Sequence, residues 1–397
     1  MAILYAEPSN WIKYDIVAVS SALIGAKAAV QSLTTVPYQR DWVEKLQQIQ
    51  LKLEVAGTSR IEGADFTEQE LEMALNINQS PTELLTRSQR QARAAVQTYQ
   101  WIASLPTDQP FTLQLLCDIH GRLVTGCDDD HCPPGMLRSA DQNVTFGIPR
   151  HRGCSGGTAC SDGVKHLVTA VQRDYVHHDS LVQALCLHYH IAAMHPFLDG
   201  NGRTARALES FMYQKAGLRD TAFIAMSNYY YEEKTAYLAV LAQVRSKDHD
   251  VTDFLVFGLK GLDIQCHRLL REITRQMQKA LFRDTMYSLF NRLKSSRKRV
   301  IQKRQVEILR VLLDSESMSL GRLWLRISSI YEDLGGLDKA FFRDLSSLEG
   351  LGAIEVVQNE GQWTAHVNLA WPSEITESAF FDRLKRLPKG KTYNFLP

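Results

Sequence analysis

Apolar residues recur along most of this chain at three- and four-residue spacing, the period of an amphipathic helix rather than the alternation of a strand. Over Asp41–Gly63, Val43, Leu46, Ile49 and Leu53 share one face. Thr67 then stands three residues ahead of Glu70 in TEQELEMAL, the spacing of a capping box. Further helices are predicted over Ser88–Ala103, Thr112–Val124, Gly163–Val176, Arg203–Ala216, Glu232–Arg245 and Val251–Lys294. Leu181–Met194, with Ser180 as its cap, is apolar nearly all round, which predicts a central helix buried on every side. The period lapses between Cys132 and Ala159, where prolines and glycines surround the short extended segment Asn143–Phe146. A loop with a small hairpin is expected there.

Past the basic stretch Lys294–Arg304 the elements become shorter. Helices over Gln305–Leu313, Ser319–Ile330 and Asp338–Leu348 precede strands at Ala353–Val357 and Trp363–Leu369, joined across an Asn359–Gly361 turn. That order resembles a winged helix-turn-helix domain. The expected organisation is a mainly α protein: an N-terminal helical region over 1–110, a catalytic domain over 111–293, a winged helix over 294–375 and a tail over 376–397.

Composition narrows the possibilities. The 397 residues carry 45 basic and 44 acidic side chains, a net charge of +1 that gives no bulk attraction to nucleic acid or anionic membrane. The apolar run Ile16–Ala29 is interrupted by serines and Lys27 and reads as too short and mixed to span a bilayer. Nothing near the N-terminus reads as a signal peptide, so a cytoplasmic location is the default expectation. Five of the seven cysteines fall between Cys117 and Cys160. Cys127, His131, Cys132, His151, Cys154 and Cys160 hold the right chemistry for tetrahedral zinc. They do not form paired CxxC knuckles, and free thiols in a reducing compartment are the favoured reading.

The segment richest in chemistry is HPFLDGNGRTAR, His195 to Arg206. It joins the end of the apolar helix to the start of another through Gly200 and Gly202. Free N–H groups at a helix start, approached through glycines, make an anion site. Arg203 and Arg206 add charge suited to phosphate oxygens. Asp199 is the kind of oxygen donor Mg²⁺ takes while it rides on substrate phosphates. His195 is the group able to remove a proton near neutral pH. A base, a metal carboxylate and a phosphate cradle together describe a nucleotide-dependent transferase.

These residues resemble the Fic family motif at His195, Phe197, Asp199, Gly200, Asn201, Gly202, Arg203 and Arg206. The resemblance reaches from about the N-terminal helix to residue 260. It implies a helical core and transfer of AMP from ATP to Ser, Thr or Tyr hydroxyls of a target protein, or of the enzyme itself. In that case His195 deprotonates the hydroxyl, and Asp199 holds Mg²⁺. Asn201 and the amides of Gly200 and Gly202 cradle phosphates, with Thr204 beside them. Arg203 neutralises the pyrophosphate side, Arg206 reaches the γ-phosphate, and Phe197 anchors the loop. The related Doc branch, which phosphorylates, carries lysine where Gly202 stands. Transfer of UMP or phosphocholine uses the same motif and stays open. The hairpin region Gly135–Ile148 lies where the family has its flap, with Phe146, Gly147 and Ile148 nearest the nucleotide. Tyr237 and Leu238 fall at the adenine-side positions. TSRIEG, Thr58 to Gly63, resembles the family's inhibitory motif and makes Glu62 the inhibitory residue.

A transcription regulator with a nucleotide-sensing domain is the alternative from another class. Residues 300–371 hold seven Lys or Arg against ten Asp or Glu, a local charge of −3 that repels phosphate backbone. The expected recognition helix offers Lys339 and Arg343 beside Asp338 and Asp344. A protein partner for the winged helix is therefore favoured over DNA. A homodimer is compatible with the sequence, and no membrane partner is expected.

Overall fold

The computed structural model describes residues 2–36, 40–64, 67–75, 85–128, 131–218, 224–292, 296–315, 317–332, 337–359 and 361–387. Met1–Arg271 and Glu272–Pro397 form two compact units. The first opens with strand β1 (Ile3–Leu4), then helices α1 (Ile16–Thr35), α2 (Arg40–Ile61), α3 (Glu68–Leu75), α4 (Arg87–Ser104) and α5 (Leu113–Val124). Strands β2 (Thr145–Phe146) and β3 (His151–Arg152) precede α6 (Thr158–Arg173), α7 (Ser180–Met194) and α8 (Asn201–Tyr213). After them come α9 (Met226–Glu232), α10 (Lys234–Ser246) and α11 (Thr252–Asn291), within which the division between units falls.

Helix α7 is the buried centre that its apolar composition predicts, with every residue from Ala184 to Met194 enclosed. Its cap is Asp179, whose carboxylate accepts the Leu181 N–H at 3.0 Å, one residue before the expected Ser180. The Thr67–Glu70 capping box is present, with bonds of 2.7 and 3.2 Å in the two directions. The helix expected over Glu232–Arg245 is α10, which starts two residues later, and the short α9 precedes it across Glu233.

Helix α1 is longer than the sequence reading allows. It has 20 residues and an 18-residue stretch with a mean hydropathy of 1.6, apolar and long enough to cross a membrane by length and composition. Here Val19, Ala26, Ala29 and Leu33 are buried, and Lys27 pairs with Asp179 at 2.6 Å.

The expected small hairpin is present, its first strand occupying the last two residues of the extended segment Asn143–Phe146. Thr145 and Phe146 pair antiparallel with Arg152 and His151, and β1 joins the far side of β3 in parallel. The strands are two residues each, below the length at which alternation is readable.

The second unit continues with α12 (Ser296–Leu313), strand β4 (Met318–Ser319), α13 (Leu320–Ile327) and α14 (Leu337–Gly350). Strands β5 (Ile354–Asn359) and β6 (Gln362–Val367) and helices α15 (Trp371–Glu374) and α16 (Glu377–Arg386) complete it. The three strands lie in the order β4-β6-β5. Phe282, Met286 and Phe290 from the end of α11 join its core, which places the boundary ahead of the basic stretch at Lys294. The expected tail over 376–397 begins as a helix. Thr376 caps α16, accepting the Ala379 N–H at 3.2 Å, and Phe380 is fully buried in the same core. Residues 388–397 lie outside the described residues.

Candidate active site

Helix α7 ends at His195, whose backbone turns left-handed (φ 53°, ψ 60°) and stops the helix. A non-glycine residue there costs about 1–2 kcal/mol and is held only by its surroundings. The His195 Nδ1–H donates to the Ala192 carbonyl at 2.8 Å. That bond fixes the tautomer and leaves Nε2 with its lone pair, the state of a general base. Burial pulls the imidazole down to about 4, with Arg245 and Arg138 acting the same way and Glu62 and the Ala192 carbonyl opposing. Phe146 of the hairpin stacks on the imidazole at 3.6 Å, and the Arg245 guanidinium stands over the Phe146 ring at 5.0 Å.

The loop between α7 and α8 is shaped from within. Both polar atoms of the Asn201 side chain bond the Phe197 backbone at 2.9 Å, so Asn201 holds the loop rather than reaching toward a ligand. Phe197 is fully buried and stacks flat on His120 at 3.6 Å, as its anchoring role requires. His120 in turn donates from Nε2 to the Asp199 carbonyl at 3.1 Å. Burial lowers the His120 pKa to about 4, and the ring is neutral.

The Thr204 hydroxyl is fully buried and bonds the Gly200 carbonyl at 2.9 Å, which removes it from the expected ligand contacts. The Gly200 amide is likewise engaged, by Asp199 Oδ1 at 2.6 Å. The Asp199 side chain stays 41% exposed.

The two motif arginines have different partners. Arg203 is buried and donates to Asp128 at 2.7 Å, with Asp199 at 3.7 Å. Asp128 also takes Arg87 from α4 at 2.7 Å. Asp128, His131 and Asp199 place ligand atoms within 4.8 Å of one another. The two arginines on Asp128 already balance that cluster. Arg206 is buried and donates from Nε to Thr58 Oγ1 at 2.8 Å, and from Nη2 to the Thr58 carbonyl at 3.3 Å and Glu62 at 2.5 Å. Burial disfavours its charge, yet Glu62 more than offsets this and the Arg206 pKa is raised.

Glu62 arrives there because of how α2 ends. Ala64 N–H bonds the Ser59 carbonyl at 3.0 Å and Gly63 N–H bonds Arg60 at 3.1 Å, the paired bonds of a Schellman cap. Gly63 supplies the left-handed turn (φ 89°) that this cap needs. The Glu62 carboxylate then lies across the N-terminus of α8. A Cβ on Gly202 would stand 2.4 Å from Glu62 Oε1, so glycine at 202 is what lets an anion come so near.

The adenine-side expectation divides. Leu238 is 46% exposed and Ile148 is 94% exposed. Tyr237 is buried and stacked on Tyr230 at 4.6 Å, and its hydroxyl bonds His188 Nε2 at 2.8 Å. It cannot face a nucleobase from there. Behind it His188 Nδ1 contacts Glu209, which also accepts the Tyr230 hydroxyl at 2.8 Å. The cysteines singled out as zinc candidates, Cys127, Cys132, Cys154 and Cys160, are buried free thiols.

Residues 110–213 match the model of the Fic/DOC family. They are a Fic/DOC domain. The chain is similar in fold to a Fic family protein from Desulfovibrio desulfuricans G20. That likeness covers 92% of this chain and 98% of the other at 17% identity, with a TM-score of 0.57. It is similar as well to a fragment of Fic-1 from C. elegans, over 66% of this chain and 74% of that one, at 16% identity and a TM-score of 0.54. The matched segment of the Fic domain holds His195, Asp199, Arg203 and Arg206, whereas Glu62 and Arg87 lie upstream of it. Sequence reasoning missed Arg87, Asp128 and Arg138. Each lies far from the motif in sequence, and only the fold brings it there.

Proposed function

We propose that this chain is a protein adenylyltransferase, moving AMP from ATP to a hydroxyl of a protein, with Glu62 holding it inactive. The observation that carries the reading is the carboxylate of Glu62 seated on Arg206 at 2.5 Å, over the N-terminus of α8. A built-in anion occupies the place where a triphosphate would put one. His195 stands at the start of the same loop with Nε2 available.

In this mechanism Nε2 of His195 takes the proton of the incoming hydroxyl as its oxygen bonds the α-phosphorus. The bond from that phosphorus to the bridging oxygen of pyrophosphate breaks, and the electron pair leaves with pyrophosphate. General-base catalysis of this kind contributes about 10²–10⁴-fold. The free amides of α8, with Arg203 and Arg206, face the phosphate charge. Asp199 fits a Mg²⁺ role, since among the described residues its Oδ2 has no ion-pair partner closer than His131 at 3.5 Å, and the ion would supply charge neutralisation on the phosphates. Pairing of Arg206 with Glu62 removes the γ-phosphate ligand and leaves ATP misplaced, and about an ångström of displacement costs roughly 10²-fold.

The target would present its hydroxyl along β2, because β1 covers the far side of β3 and leaves the β2 edge free. We read the second unit as a winged helix that recognises a protein partner, on the strength of its helix–strand order and its acidic balance. The test is intact mass spectrometry of the Glu62→Gly variant, beside the parent, after incubation with ATP and Mg²⁺. The expected adduct is one AMP moiety on the chain or on an added protein. A phosphate, UMP-type or absent adduct under every nucleotide tried rejects the adenylyltransferase reading.

A further inference from the structure

Three consecutive carbonyls around His195 are held by the segment that leads into and out of the hairpin. Met194 O accepts the Cys154 N–H at 2.9 Å, and Pro196 O accepts the Arg138 N–H at 3.0 Å. His195 O accepts Nε–H of the Arg138 side chain at 2.8 Å. The same guanidinium donates to the Gln142 carbonyl at 2.8 Å and to the Cys154 carbonyl at 2.5 Å, with Cys154 Sγ at 3.3 Å. Arg138 therefore ties both arms of the hairpin to the left-handed, non-glycine residue His195 of the catalytic loop. It is 2% exposed, and its partners among the described residues are all neutral acceptors.

A buried guanidinium satisfied only by carbonyls keeps its charge unneutralised. We propose that Arg138 is a positioning residue for His195: it locks the left-handed backbone at His195 and both arms of the hairpin into one rigid unit. Its charge is one of several influences, secondary to burial, that disfavour the imidazolium. The proposal rests on His195 being the base of the reaction given above. The charged groups facing His195 are Glu62 from α2, Arg245 from α10 and Arg138. Glu62 favours protonation, the two arginines oppose it, and burial is the largest influence. Beyond Phe146, which covers the imidazole, lies the ring of His151 at 6.4 Å from the Phe146 ring.

The two parts of the role separate by substitution. Arg138→Met removes the fork and the charge, whereas Arg138→Lys keeps the charge and loses the fork. Both are made alongside His195→Ala and read as kcat, ATP affinity and the pH dependence of kcat in the most active background. Arg138→Met should lose about 10²-fold in kcat through misplacement of the base, with ATP affinity within about twofold because the phosphate residues are untouched. The acid limb of its pH profile should move upward. Arg138→Lys should lose kcat with the acid limb unmoved, and it serves as the test if the methionine variant does not fold. Full kcat in either variant overturns the proposal, as does parallel loss of kcat and ATP affinity, or an unmoved acid limb in Arg138→Met. An active His195→Ala marks failure of the mechanism itself. An inactive His195→Ala beside a fully active Arg138→Met marks failure of the Arg138 role alone.

Discussion

Replacing Gly57 with alanine should release this enzyme, although the same change in most helix interiors only stabilises. Gly57 is buried in α2, one turn before Glu62. A Cβ there would stand 2.4 Å from the Ser227 carbonyl carbon and 2.5 Å from Asn228 N, against 3.4 Å for ordinary contact. Both obstacles are backbone atoms of α9, so α2 must retreat by about 1 Å. Glu62 bonds Arg206 at 2.5 Å, and the same retreat takes it out of hydrogen-bond range. Loss of a hydrogen bond to a charged group costs about 1.5–3 kcal/mol, which corresponds to a rise of about 10- to 100-fold in the uninhibited population. Helix propensity acts the other way, favouring alanine by about 1 kcal/mol. The melting temperature should therefore fall modestly while transfer accelerates. The assay is the initial rate of self-modification with ATP, beside a thermal melt. A Gly57→Ala protein that melts higher and transfers at the parent rate would refute the steric argument.

His195→Ala should abolish transfer, by about 10²–10⁴-fold, while ATP still binds by calorimetry. Glu54, which accepts the Ser227 N–H at 2.7 Å and the Tyr99 hydroxyl at 2.8 Å, is raised to about 7 by burial, with Glu209 adding to the rise and its hydrogen bonds opposing. The folded state then binds the extra proton between about pH 4.5 and 7, so docking of α2 should strengthen as pH falls through that window and weaken above it. Inhibition measured from pH 6 to 8 should decline with rising pH in the parent and lose that dependence in Glu54→Gln. Thr204→Val should lower the melting temperature and leave ATP affinity unchanged, because its hydroxyl serves the Gly200 carbonyl. A drop in ATP affinity there would return Thr204 to the ligand contacts.

The sequence made some parts of this molecule readable and hid others for physical reasons. Helix α7 is legible because burial on all sides leaves a run free of Asp, Glu, Lys and Arg, and the end of α2 beside Glu62 is legible because caps use few residue types, whereas α8 starts two residues before the expected Arg203. The motif set out His195, Asp199 and Arg206 in order, since a helix N-terminus compresses the whole phosphate site into one turn. Side-chain commitments were not legible. Asn201 and Thr204 belong to residue types that suit a ligand and a backbone equally, and here the backbone takes them. Tyr237 carries a hydroxyl whose partner, His188, lies 49 residues away. Arg138 and Asp128 act through contacts spanning 57 and 75 residues, beyond any local pattern. Strands β1 to β3 are held by tertiary pairing at two residues each.

The central claim is that one charge pair, Glu62 with Arg206, sets the activity of the site. Its most direct test is the initial rate of self-modification for the parent, Glu62→Gly, and Glu62→Gly combined with Arg206→Ala, each checked for folding. The account predicts a large rise in Glu62→Gly, because Arg206 is left for the γ-phosphate. It predicts loss of that rise in the double variant, which lacks the phosphate ligand. An unchanged rate in folded Glu62→Gly that still binds ATP, or equal activation in the double variant, would contradict it.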